Sequence, residues 1–156
     1  MSKSMSMEVE GLKDTLNMLE NLSNNSDLFK PVVYVGAEVV ADELRKNIGS
    51  LKTQSDNKQK KGTRYPYDYE KNVLLTAMGV APIKNRDVIN TKVGFDGYYE
   101  NKSGDKRPVP LLANSINAGT TFLKKQNFID KTARTCREKV AQVMKEKTDK
   151  IIEKIS

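Results

Sequence analysis

Residues 124–156, KKQNFIDKTARTCREKVAQVMKEKTDKIIEKIS, carry the pattern from which the fold is read. Ile129, Ala133, Cys136, Val140, Val143 or Met144, Ile151 and Ile155 recur at steps of three and four, with Lys147 the one polar intrusion. Ten basic and five acidic side chains fill this segment's other positions. The pattern predicts an amphipathic helix of about 28 residues, roughly 42 Å long at 1.5 Å per residue. A helix of that length either packs along another or leaves an end for a partner. The chain offers such a neighbour upstream. Val33, Gly36, Val40, Leu44 and Ile48 form one face over residues 28–48, widened by Val32, Ala37 and Val39. Glu38, Asp42, Glu43, Arg45 and Lys46 take the other face. Ser26 or Asp27 can cap this helix, Pro31 is tolerated in its first turn, and Gly49 stops it.

Outside these two helices the signals are shorter. Residues 1–6 read as a loose tail, and Met7-Glu8-Val9-Glu10 alternates like a strand up to Gly11. Leu12, Leu16 and Leu19, with Met18 and Leu22 beside them, predict a short helix that ends at the polar run Ser23–Ser26. From Ser50 to about Glu70 the apolar pattern disappears, and residues 50–70 are expected to form a long, mobile polar loop. Val73, Leu74, Ala77 and Met78 predict a short helix or apolar anchor, broken by Gly79 and Pro82. Val88–Phe95 reads as a strand ending in the Asp96-Gly97 turn, with Tyr98–Glu100 pairing back on it and a further turn over Asn101–Asp105. Pro110–Ile116 predicts another helix that ends near Gly119. Together these give an α+β fold in one domain over 1–156, a small antiparallel sheet packed by two long helices.

Composition narrows the chemistry. The chain has 156 residues with no His, no Trp and one Cys. A Ser-His-Asp or Cys-His arrangement, an imidazole base and a Cys-rich zinc site are all excluded. No glycine pattern of a nucleotide-binding loop occurs. No catalytic residue, metal ligand or cofactor is therefore expected, and the reading is of a protein that is not an enzyme. Cys136 lies on the apolar stripe of the last helix and reads as a core residue, although Arg134 and Arg137 are near enough in sequence to activate a thiol. The apolar stretch at 32–40 is too short and mixed for a membrane span, which needs about 20 residues. Met1–Met7 has no signal-peptide core, so a soluble protein made in a cytoplasm is expected.

Charge is unevenly placed. Residues 1–51 carry 5 basic and 8 acidic side chains, against 22 basic and 12 acidic ones in the remainder, for a net charge of +7. The 50–70 segment interleaves Lys58, Lys60, Lys61 and Arg64 with Tyr65, Tyr67 and Tyr69. The Phe95–Arg107 hairpin adds Tyr98, Tyr99, Lys102 and Arg107. Tyr and Arg are common anchors of protein interfaces, and these eleven residues are the candidate contact set. The same mixture suits phosphate contact with base stacking, so a small basic nucleic-acid-binding protein is the alternative.

From Pro108 onwards the chain resembles a known family. Pro110-Leu111-Leu112-Ala113-Asn114-Ser115-Ile116-Asn117-Ala118-Gly119-Thr120-Thr121, then Gln126-Asn127-Phe128-Ile129-Asp130-Lys131-Thr132-Ala133, is similar to the gene-product-ten-like group of tailed bacteriophages. These are head–tail joining, tail-completion or minor tail components. Their pattern places Gly-Thr after a short apolar segment, then a Gln-Pro-Phe-Leu-like lead into a long C-terminal helix. Met7–Leu12 resembles the group's strand-Gly-Leu opening, and Gly36–Leu44 its Gly-Ala-x-x-Val helix. The chain departs from the pattern at Asn117, where the group has Glu, and at Asn127, where it has Pro. The group's Pro-Val-Asp-Thr-Gly segment is replaced here by the polar 50–70 stretch. The resemblance implies a phage or prophage virion protein of the neck or tail end, assembled in the host cytoplasm. It implies a homo-oligomeric ring, a hexamer or dodecamer, docking on other neck, connector or tail-tube proteins. DNA would pass such a ring without specific recognition, and no membrane is involved.

Overall fold

The computed structural model describes residues 26–56, 62–85 and 89–155. The expected strand at 7–10 and helix at 12–22, together with Lys58, Lys60 and Lys61, lie outside the described residues. A 3-10 turn at Ser26–Phe29 leads into α1 (Lys30–Gly49), with Pro31 in the first turn, where its missing N–H leaves no helical bond unmade. Among the described residues three further helices follow, α2 (Asp68–Ala77), α3 (Val109–Ala118) and α4 (Phe128–Ile155). Strands lie between α2 and α3: β1 (Met78–Val80), β2 (Lys84–Asn85), β3 (Ile89–Asn90), β4 (Val93–Phe95), β5 (Tyr98–Glu100) and β6 (Lys106–Pro108). The fold is α+β, as the sequence predicts.

α4 spans 28 residues and finds its partner in α1, the packing the sequence leaves open. The two run antiparallel. Gly36 faces Met144, the Thr135 hydroxyl donates to Glu43 Oε1 at 3.2 Å, and Asn47 Nδ2 donates to the Thr132 hydroxyl at 2.8 Å. Cys136 is buried in this seam, as its place on the stripe predicts. Ala133 is a correction: it is exposed, and Thr132 takes the buried position. The polar side chain is accommodated because its hydroxyl also donates to Phe128 O at 2.7 Å, so no buried donor is left unpaired.

At the Gly49 end, α2 and α3 close over the core. Leu44, Ile48, Leu51, Leu74, Leu112, Ile116 and Phe128 make its centre, with Phe95 edge-on to Phe128 at 6.2 Å. The sheet differs from expectation. Among the described residues, three separate two-stranded antiparallel ribbons replace one sheet, pairing β1 with β4, β2 with β3 and β5 with β6. The 88–95 strand is broken between Asn90 and Val93, and Tyr98–Glu100 pairs forward with β6 rather than back. Two turns account for this. Gly97, at φ +86°, swings the chain away from β4. Asn101 Oδ1 then accepts the N–H groups of Ser103 and Asp105, at 3.0 and 2.9 Å, folding β6 onto β5.

The bounds of the 50–70 loop are the second correction, since the described residues at its two ends, 50–56 and 62–70, are built into the fold. Leu51, Pro66 and Tyr67 are buried, and α2 already begins at Asp68. Gln54 bridges Tyr67, Arg64 bridges Leu123, and the Gln126 amide bonds both backbone groups of Lys52 at 2.8 and 2.9 Å. Polar composition gave no sign of this, because three scattered buried side chains, Leu51, Pro66 and Tyr67, together with hydrogen bonds to the backbone, hold the segment without any apolar period.

Gly36 tests the helix seam. A Cβ there would lie 2.8 Å from Met144 Sδ and 3.0 Å from its Cγ. Gly36→Ala gains about 1 kcal/mol of helix propensity, which a small shift of Met144 offsets, and is expected to be near neutral. Gly36→Leu overpacks the seam and is expected to lower stability by about 1–3 kcal/mol in urea unfolding. Adding Met144→Ala should restore most of that loss; no recovery would place the strain elsewhere.

Candidate protein-interaction site

The start of α2 organises the site. Glu70 is 3% exposed, and its carboxylate accepts three hydrogen bonds. Two come from the Arg64 guanidinium, at 2.8 and 3.0 Å, and the third from the Tyr67 N–H at 2.8 Å, which satisfies a free donor at the helix start. Arg64 Cζ in turn lies 3.8 Å from the centroid of the Tyr67 ring, and Lys102 Nζ lies 3.6 Å from it. The Tyr69 ring lies nearly parallel to that of Tyr67, with centroids 5.9 Å apart. Across β5 and β6, Tyr99 and Arg107 are directly paired and so share one face of the ribbon.

These groups line an open cavity of about 490 Å³ whose other wall is apolar, formed by Leu111, Leu112, Phe122 and Leu123. Phe122 is 71% and Leu111 53% exposed. Both side chains line the same cavity, so their exposed apolar surface continues its apolar wall.

Of the candidate contact set, the structure brings together Arg64, Tyr67, Tyr69, Tyr99, Lys102 and Arg107. Tyr98 is separate, on the opposite face of the ribbon and 73% exposed. Tyr65 is separate too. It lines a smaller cavity of about 280 Å³ with Lys52, Lys124, Lys125 and Gln126, and Lys124 Nζ lies 4.4 Å from its ring centroid. Sequence reasoning missed Glu70, Leu111 and Phe122. The consecutive Leu111-Leu112 pair held a usable signal, since neighbours on a helix face different ways and only one can enter the core.

The electrostatics leave two cations on the rim. Burial lowers the pKa of Arg64, but its hydrogen bonds to Glu70 and that carboxylate's charge outweigh it, so the pKa is raised. Arg64 thus stays charged, and the Glu70 carboxylate balances that charge inside the site. Burial first and the Glu70 charge second raise the pKa of Tyr99, and the same two causes push Tyr69 up to about 12. Both phenols are neutral at pH 7. Among the described residues no carboxylate pairs with Lys102, and Arg107 has only Asp105 at 3.9 Å. An open groove with an apolar wall, neutral phenols and two rim cations is suited to an acidic, partly apolar polypeptide.

The phenol of Tyr69 gives a pH prediction. Its pKa rises from 10.0 in the unfolded chain to about 12 in the fold. The folded state therefore holds the proton more tightly. That stabilisation is complete below pH 10 and is lost as the pH rises through about 12. In a near-ultraviolet tyrosinate titration, Tyr69→Phe should remove a late-ionising phenol. An unchanged late phase would refute the assignment.

Among the described residues no group of three or more Cys, Asp or Glu side chains could hold a metal ion, and no helix is long and apolar enough to cross a membrane. No family model matches the chain, and neither a curated protein nor a solved structure does.

Proposed function

We propose that this chain is a phage or prophage virion structural protein that acts in head–tail joining or tail completion, by ring self-assembly and partner docking. The observation that carries the reading is the open cavity with Lys102 and Arg107 on its rim and Leu111 and Phe122 exposed beside it. The acidic excess lies in residues 1–51, away from that rim in sequence. A subunit with two different, oppositely charged surfaces can associate head to tail, and such contacts give a ring when the rotation between neighbours closes. The resemblance over Pro110–Thr121, Gln126–Ala133, Met7–Leu12 and Gly36–Leu44 suggests the class of ring. The proposed work is docking, with no chemical step, in the host cytoplasm during assembly and afterwards in the virion.

Electron microscopy of the purified chain is the direct test, with rings expected. Complementation of a phage defective in head–tail joining is the second. A chain that stays monomeric at high concentration and joins no heads to tails would sink the reading. The cluster of Lys52, Lys124 and Lys125 around Tyr65 favours the nucleic-acid alternative. That reading requires affinity falling steeply with salt, with a log–log slope of about −0.9 per phosphate contacted on duplex DNA. A mobility-shift titration at two salt concentrations that shows no binding removes it.

A further inference from the structure

We propose that the cavity between α2, the β5–β6 ribbon and the Thr120–Leu123 loop receives residues Met7–Leu12 of a second copy of the chain. This rests on the self-assembly reading above and names the surfaces that would carry it. The wall of Leu111, Leu112, Phe122 and Leu123 asks for apolar side chains, and Lys102 and Arg107 on the rim ask for carboxylates. Met7-Glu8-Val9-Glu10-Gly11-Leu12 alternates the two kinds. In an extended segment Met7 and Val9 face one way while Glu8 and Glu10 face the other. The β5–β6 ribbon has only two strands among the described residues, so an extended segment can add to it by main-chain hydrogen bonds.

A second copy is the occupant that the charge layout favours. The acidic excess of residues 1–51 and the basic rim of the cavity are different, complementary surfaces of one chain, which is what a head-to-tail contact between copies requires.

The test uses two full-length variants, Lys102→Glu/Arg107→Glu and Glu8→Lys/Glu10→Lys. Lys102 and Arg107 are both exposed, so the cavity variant is expected to fold, which circular dichroism checks. In analytical ultracentrifugation the wild type should associate with concentration, and each variant should associate at least tenfold more weakly. Mixing the two should restore association, because wild-type N-termini then meet wild-type cavities. Phe122→Ala should weaken association without altering charge. Variants that associate like the wild type, a mixture that stays monomeric, or a monomeric wild type would each overturn the proposal. The functional reading fails separately. Association through this cavity without complementation of head–tail joining would refute the function and leave the contact. Rings and joining that ignore the charge reversals would do the opposite.

Discussion

Glu70→Ala is expected to destabilise the protein by about 3–5 kcal/mol, the usual loss when one partner of a buried ion pair is removed. The Arg64 side chain is 19% exposed and the Glu70 side chain 3%. Without the carboxylate, the guanidinium keeps Tyr65 O at 3.0 Å and the face of Tyr67, neither of which carries a full negative charge. The Tyr67 N–H also loses its acceptor at the start of α2, which adds to the loss. Coulomb attraction is not the whole of this, since forming the pair required both groups to leave water. Arg64→Met/Glu70→Leu should therefore be more stable than Glu70→Ala, because it leaves no charge stranded. Urea unfolding of the three proteins checks the order. A loss under about 1 kcal/mol for Glu70→Ala would mean that water reaches Arg64 and screens it as at a surface. A second readout comes from Tyr69. Its raised pKa has the Glu70 charge as its second cause after burial, so removing that charge should move its titration down towards 10.0.

This ion pair shows why the site was only partly legible in the sequence. Arg64 and the tyrosines were visible as residue types, but not the partner six positions away that neutralises Arg64. Glu70 sat inside a stretch read as a polar loop, where an acidic residue usually faces solvent. The helices were more legible because burial is periodic: α1 and α4 fall where apolar side chains recur at three and four. Even there the stripe was misplaced by one position at Thr132, since a threonine that bonds its own helix can take a core site that composition would give to Ala133. The ribbons were least legible. Strands of two and three residues are too short to establish alternation, and the turns at Gly97 and Asn101 decide their pairing. Tyr98 and Tyr99 illustrate the consequence. Adjacent and chemically identical, both belong to the candidate contact set by residue type, while the pleat sends them to opposite faces.

The two departures from the phage pattern, Asn117 and Asn127, touch each other in the fold, and this yields the second large prediction. Asn127 has φ +50°, in the left-handed region, and its N–H donates to Asn117 O at 3.0 Å. Its own carbonyl accepts the Lys131 N–H at 2.9 Å, opening α4. The Asn117 side chain completes the junction. Oδ1 accepts the Ile129 N–H at 2.9 Å, and Nδ2 donates to Asp130 at 3.1 Å. Proline at 127 cannot reach a positive φ and has no N–H to give, so Asn127→Pro is expected to lose about 3 kcal/mol or more. Asn127→Gly should stay within about 1 kcal/mol of wild type, because glycine enters that region without strain. Asn117→Glu places a carboxylate beside Asp130 and removes the Nδ2 donor, with an expected loss of about 1–3 kcal/mol. The decisive protein is Asn117→Glu/Asn127→Pro, which carries the phage pattern at both positions. No side chain at 117 can change the φ that proline imposes at 127, so its stability should fall below that of Asn127→Pro alone. If urea unfolding instead showed the double variant recovering, the Glu and Pro of the phage pattern would be a matched pair able to form this same junction. The two departures would then be one compensated exchange, and the resemblance would gain its strongest physical support.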